Sequence, residues 1–186
     1  MTDSQPYRKL DVVDQLWIDL LATAGITVRR DASCFVSYDG AGTLLLAPKA
    51  DLDPDDTVAA LLLHELCHCA VRGDAMRGDA GREQPDWGLT YAAEPDLSDE
   101  HAVLRLQRWL ATQVGLAAVL HPTTEHRVYY DALALCAFAE ELTDPRFAAQ
   151  EDKVIEIATR ARKWLTAQRW WPALDQTLQK TAAAAG

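Results

Sequence analysis

Thr57-Val-Ala-Ala-Leu-Leu-Leu-His64-Glu65-Leu66-Cys67-His68-Cys69-Ala-Val71 is an apolar, helix-forming run that carries the pattern His-Glu-x-x-His. On a helix, residues four apart share a face, so His64 and His68 can hold one metal ion between them. Glu65 then lies about 80° round the helix from the midline of the pair, beside the ion's open positions rather than among its ligands. The length and apolar content of the run predict a buried helix. The acidic residues Asp51, Asp53, Asp55 and Asp56 precede it and suit a helix N-terminus. Two histidines and a glutamate inside such a helix each need a buried partner. A metal supplies one; the bland alternative is a pair of core histidines bonded to backbone carbonyls.

A metal site needs a further protein ligand. Asp96-Leu-Ser98-Asp99-Glu100 opens a second helix, in which Ala102, Val103, Leu106, Trp109, Leu110 and Val114 recur at three- and four-residue steps. Glu100 shares a face with Val103, Leu110 and Val114, so its carboxylate can point inward with them. It is the expected third ligand, with Asp99 and His101 as local competitors and Glu94 a more distant one. The plain alternative for Glu100 is a first-turn acid favoured by the helix dipole. Two histidines plus one carboxylate leave positions open for water, oxygen or substrate.

Outside these helices, Asp11 to Ala24 reads as an amphipathic helix with Val12, Val13, Leu16, Leu20 and Leu21 inward and Gly25 as its stop. Ile26 to Arg30, Cys34 to Tyr38 and Thr43 to Ala47 predict a small antiparallel sheet, with a hairpin between the last two strands. Residues 72–98 are polar and rich in glycine and proline, too long for a simple connector and suited to a lid. Further helices are expected over Glu125 to Leu142 and about Arg146 to Trp170, then a frayed alanine-rich tail after about residue 178. The fold class is α+β, a small antiparallel sheet packed on a mostly helical domain, one domain over residues 1–186.

The chain has 186 residues, 49% of them hydrophobic, and 18 Lys and Arg against 28 Asp and Glu, a net charge of −10. That charge disfavours direct nucleic-acid binding. The basic stretch Arg160-Ala-Arg162-Lys163 with Arg169 reads as a solvated helix face. No apolar run reaches membrane-spanning length and the N-terminus lacks a secretory pattern, so no membrane partner and a cytoplasmic location are expected. Cys34, Cys67, Cys69 and Cys136 read as free thiols, with Cys67 a conceivable soft ligand. The Arg-Gly-Asp triplets at 72–74 and 77–79 carry no adhesion reading without a secretion signal.

His64-Glu65-Leu66-Cys67-His68, the cluster Asp86-Trp87-Gly88-Leu89-Thr90-Tyr91, Pro95-Asp96, then Glu100 and Gly115 resemble the elongation factor P hydroxylase family. That family is similar in size, with an HExxH helix, an Asp-aromatic-Gly-x-x-Tyr segment and a later metal-binding glutamate. Trp170-Trp171-Pro172-Ala-Leu174 resembles an aromatic-Pro ending there. The likeness is strong from about Ala60 to Gly115 and weak elsewhere; the stretch between His68 and Asp86 is longer than the family pattern, and Cys69 stands where an aromatic residue is expected. The resemblance implies a zincin-like domain and a metal-dependent hydroxylation of a modified lysine on a protein partner, a translation factor. His64, His68 and Glu100 would hold one divalent ion.

Two enzyme readings share those ligands. In an iron hydroxylase Glu65 orients groups or relays protons; in a zinc peptidase or other hydrolase it takes a proton from water and passes it to the leaving amine. A non-catalytic metal-binding interaction protein is the third reading. Asp86, Trp87 and Tyr91 are the candidate substrate contacts, an acidic and aromatic clamp for a lysine-like chain. The alternative makes them a plug that ties the long loop to the core.

Overall fold

Thr57 starts the histidine helix: its side chain accepts a hydrogen bond from Ala60 N at 3.0 Å, an N-cap that leaves the preceding acids out of the first turn. Asp56 is instead partly buried beside Asp55 and Asp53, which raises its pKa to about 6. The computed structural model describes residues 6–73, 86–88 and 96–186. Its α-helices among them are α1 Asp14–Thr23, α2 Val58–Arg72, α3 Ser98–Gln113, α4 Arg127–Ala132, α5 Glu151–Thr166 and α6 Trp171–Ala185. The strands are β1 Thr27–Arg30, β2 Val36–Tyr38 and β3 Thr43–Leu46. The fold is α+β, as expected.

The sheet differs from the expected one. Its order is β1-β3-β2, and only the β2–β3 hairpin is antiparallel; β1 pairs with β3 in parallel, Thr27 opposite Thr43 and Arg30 opposite Leu46. Burial explains the order. Leu44 and Leu46 of β3 are fully buried, so β3 takes the central place, whereas Arg29 and Arg30 keep β1 at an edge, where charge blocks further pairing. At the end of α1, Gly25 takes φ 83 and Ile26 N reaches back to Leu21 O at 2.8 Å, the Schellman stop that Gly25 predicts. The helix begins later than expected, after a 3-10 segment Pro6–Val13, and leaves Val12 79% exposed.

α2 packs against α1, α3 and α5, and Leu62, Leu63, Leu66 and Cys67 are fully buried. Each such leucine contributes about 1.5–3 kcal/mol of burial, which fixes α2 at the centre before any polar group is considered. α3 is also internal: Val103, Leu106 and Leu110 face the core around α2, while Ala102 and Leu104 join a second cluster with Tyr129, Tyr130 and Val154.

The expected helix from Glu125 to Leu142 stops at α4, followed by a 3-10 turn Leu133–Leu135. Tertiary contacts outweigh helix propensity there. The buried Arg105 guanidinium donates to the carbonyls of Phe138 at 2.7 Å and Glu140 at 2.9 Å, and pairs with Glu151 at 2.5 Å. Glu151 also accepts from Tyr129 Oη at 2.7 Å and Leu142 N at 2.9 Å. An irregular backbone captured this way has no use for helical bonds.

The C-terminal expectation also fails. α6 runs to Ala185 with Pro172 in its first turn, Leu174 and Thr181 are fully buried, and Trp17 Nε1 donates to Thr181 Oγ1 at 3.0 Å. That contact and apolar packing on α1 order a tail whose composition alone suggests fraying. The lid expected over residues 72–98 lies mostly outside the described residues. No helix among the described residues is long and apolar enough to cross a membrane.

Arg105→Ala should destabilise the fold by about 3–5 kcal/mol, because it leaves the Glu151 carboxylate buried without its counter-charge. Urea unfolding measures this; an unchanged midpoint would mean that the 136–142 segment is held by other contacts.

Candidate metal centre

α2 and α3 bring His64, His68 and Glu100 together. His68 Nε2 is 3.1 Å from His64 Nε2, and the two Glu100 oxygens lie 3.3 Å from the two imidazoles, Oε1 towards His64 and Oε2 towards His68. Among the described residues these are the group whose ligand atoms lie close enough to hold one ion. Two ligands about 2.0–2.2 Å from one cation sit about 2.8–3.1 Å apart when cis-octahedral and about 3.3–3.6 Å apart when tetrahedral, a range that spans these distances and suits a divalent ion. Glu100 Oε1 is buried with no hydrogen-bond partner among the described residues. A cation supplies what such an oxygen lacks.

Gln107, fully buried and two turns after Glu100, orients His64. Its Nε2 donates to Leu120 O at 3.1 Å, which turns its Oε1 to accept from His64 Nδ1–H at 2.9 Å. The proton on Nδ1 leaves the Nε2 lone pair directed into the site, the tautomer a metal ligand needs. His68 Nδ1 has no such partner among the described residues.

The competitors for the third position are committed elsewhere. Asp99 pairs with Arg72 at 2.7 Å, closing the end of α2 on the start of α3, and His101 stacks on Tyr129 with centroids 3.9 Å apart. Glu94 lies outside the described residues. Cys67 is buried outside the ligand group, and burial pushes its thiol pKa well above the ordinary value.

Glu65 is nearly buried, and its Oε2 accepts from Trp87 Nε1 at 2.7 Å. It stands beside the ligands and outside their convergent set, as its position on the helix requires. Trp87 is buried and stacks on Tyr38 at 3.9 Å and 5°, while Asp86 accepts from Ser37 Oγ at 2.8 Å and Tyr38 N at 2.9 Å. Both residues hold positive φ, 51° for Asp86 and 59° for Trp87, an αL geometry that costs a non-glycine residue about 1–2 kcal/mol. Those hydrogen bonds and the stack offset it. The pair thus makes the contacts of a plug on β2, and it also lines the cavity over the centre. Tyr91 lies outside the described residues.

That cavity, about 230 Å³, is bounded by the ligands, Glu65, Asp86, Tyr38 and the segment Thr123 to His126. Sequence reading missed three of its supports. Gln107 carries a signal, an uncharged polar residue on the apolar face of α3; Tyr38 and His126 carry none, lying in segments read only as strand and helix. A second cavity, about 290 Å³, lies beside Trp109, Leu133 and Phe138 and contains none of the ligands.

Without an ion the cluster holds a proton. Burial lowers the His64 pKa, but the charges of Glu100 and Glu65 and the Gln107 hydrogen bond outweigh it and raise it to about 9. Burial raises the Glu100 pKa, but His64 and His68 outweigh that in turn and hold it well below the carboxylate range.

Below pH about 9 an entering ion must therefore displace that proton. Apparent affinity should rise about tenfold per pH unit from 7 towards 9 and level off above it. Calorimetry in buffers of different ionisation enthalpy should count one proton released per ion at pH 7; zero would show His64 already deprotonated. In the same titrations, Glu100→Ala should abolish or severely weaken binding, and Gln107→Leu should weaken it about 10- to 100-fold. Asp99→Ala should leave it unchanged; equal losses for Asp99 and Glu100 variants would remove Glu100 from the ligand set.

No family model, curated protein or solved structure matches this chain, so the reading of the centre rests on its own residues and geometry.

Proposed function

We propose that the chain is a metal-dependent hydroxylase of the elongation factor P hydroxylase type, a zincin-like domain acting on a modified lysine side chain of a protein, a translation factor. The observation that carries this reading is the convergence of His64, His68 and Glu100 beneath a cavity. Bound iron supplies the oxygen-activating redox chemistry. Insertion of one oxygen atom of O₂ into a C–H bond consumes two electrons from an external reductant and two protons, releasing the other atom as water.

The chain's own residues bind and orient. Once an ion offsets Glu100, the cavity still presents Glu65, Asp86 and Glu125, with no lysine or arginine lining it among the described residues. Such a wall attracts a cationic chain. Asp86, its Oδ1 held by Ser37 and Tyr38, would pair with a terminal ammonium through its carboxylate. Trp87 fixes one oxygen of Glu65, and the other would pass protons or align the substrate.

A zinc hydrolase is the second reading, favoured by the position of Glu65 beside the ligands, where it can serve as a general base for water. The metal divides the two. The chain should be reconstituted anaerobically with Fe(II), then given O₂, a reductant and a lysine-modified translation factor. Hydroxylase activity adds one oxygen atom to the factor, read by intact mass. Peptide cleavage by zinc-loaded protein, with no oxygen added by the iron form, would replace the reading by the hydrolase. Glu65→Gln should keep one ion per chain and lose roughly 100-fold or more of turnover; loss of the ion would make Glu65 a structural support.

A further inference from the structure

His126 ends a 3-10 turn, Thr124–His126, on the wall of the cavity beside His64. Its ring lies 6.2 Å from that of His64 at 20°, and its Nδ1 is 3.8 Å from Glu100 Oε1. Trp87 stands in the corresponding place beside His68, 6.2 Å away at 8°. The two histidines on α2 are thus flanked by a buried indole carrying Glu65 and by a third imidazole.

The orientation of that imidazole matters most. Nδ1 faces Glu100, whereas Nε2 lies 3.4 Å from Glu125 Oε1. Both ring nitrogens thus face a carboxylate; with an ion offsetting Glu100, the Glu125 carboxylate holds the proton on Nε2 and leaves Nδ1 with its lone pair, the arrangement that carboxylates impose on metal-ligating histidines. Gln107 does the same for His64 with the nitrogens exchanged. Both rings therefore aim a lone pair towards Glu100, whose Oε1 is buried between them without a hydrogen-bond partner among the described residues.

We propose that His126 is a fourth ligand to the divalent ion, completing a set of three imidazoles and one carboxylate and closing the cavity side of the centre until substrate displaces it. The proposal rests on the metal-binding reading of His64, His68 and Glu100. In the conformation described, His126 stands outside the convergent group of three. Its 3.8 Å separation from Glu100 exceeds the spacing of about 2.8–3.6 Å between neighbouring ligands on one ion by about 0.2 to 1 Å. Little opposes that movement: the side chain is 32% exposed, and the Glu125 side chain beside it is 79% exposed. An exposed pair of that kind holds its geometry weakly. Glu65, on the Trp87 side, keeps its place whether His126 is bound or displaced.

The test loads the full chain with one equivalent of zinc and counts coordinated imidazoles by X-ray absorption. Three are expected for the natural chain and two for His126→Ala. Zinc affinity, read by chelator competition, should fall roughly 10- to 100-fold in that variant, and the visible spectrum of its cobalt form should change. Two imidazoles in the natural chain would overturn the proposal whether or not the variant folds. So would an unchanged zinc affinity and cobalt spectrum in a folded His126→Ala. If the natural chain takes up neither zinc nor cobalt in stoichiometric amount, the three-residue site falls first and His126 with it; two imidazoles beside one bound ion would remove His126 alone.

Discussion

A carboxylate and two imidazoles share the dry seam between α2 and α3, and the rest of the structure answers to that placement. An ionised carboxylate in such a setting costs several kcal/mol unless a positive charge reaches it. The two sources on offer are a proton on His64 and a divalent ion, and they compete for the same lone pairs. The apolar content of α2 makes this competition sharp. Leu62, Leu63 and Leu66 are fully buried on the same helix and Glu100 is 5% exposed, so solvation offsets little of its charge.

α3 transmits the geometry of the site to the remainder of the chain. Glu100 and Gln107, seven residues apart, face α2 and set the ligand and its orienting partner. Arg105 leaves the same helix on another side, where it collects the carbonyls of Phe138 and Glu140 and the carboxylate of Glu151. Three polar side chains on one buried helix would ordinarily destabilise it. Here each has a defined partner, His64 and His68 for Glu100, His64 for Gln107 and Glu151 for Arg105, which gives α3 one rotational setting against α2 and α5. The segment that carries His126 is fixed through the same network, because Tyr129, three residues on, donates to Glu151.

What the sequence discloses depends on whether a residue's role is local. His64, Glu65 and His68 are legible because spacing on one helix fixes their relative directions. Glu100 is legible because its place on an apolar stripe points it inward, and Asp99, its neighbour, turns out to face Arg72. The parallel pairing of β1 is not legible, since strand direction says nothing of which strand takes the centre; the burial of Leu44 and Leu46 decides that. The end of α4 and the order of α6 were hidden for the same reason. They depend on Arg105 and Trp17, whose partners lie 33 and 164 residues away. Trp87 shows the intermediate case: an aromatic residue in a glycine-bounded cluster invites a substrate role, while its ring is spent on Tyr38 and its N–H on Glu65.

The ligand spacing of 3.1–3.3 Å lies between the octahedral and tetrahedral values, so the protein frame does not by itself select iron or zinc. The wall chemistry is more discriminating. A hydrolase must stabilise negative charge that develops on a carbonyl oxygen, a task that a bound metal shares with donating side chains such as an imidazole. Among the described residues the cavity offers carboxylates in Glu65, Asp86 and Glu125, with the His126 imidazole, Tyr38 and Thr123 as further polar groups, and the hydroxyl of Ser37 is already given to Asp86. Oxygen insertion next to an amine makes the opposite demand: the cationic end of the substrate must be held while an unreactive C–H bond is brought to the metal. Asp86, pinned by Ser37 and Tyr38 on the cavity wall, is a carboxylate of the kind such a substrate needs, and this supports the hydroxylase reading proposed above.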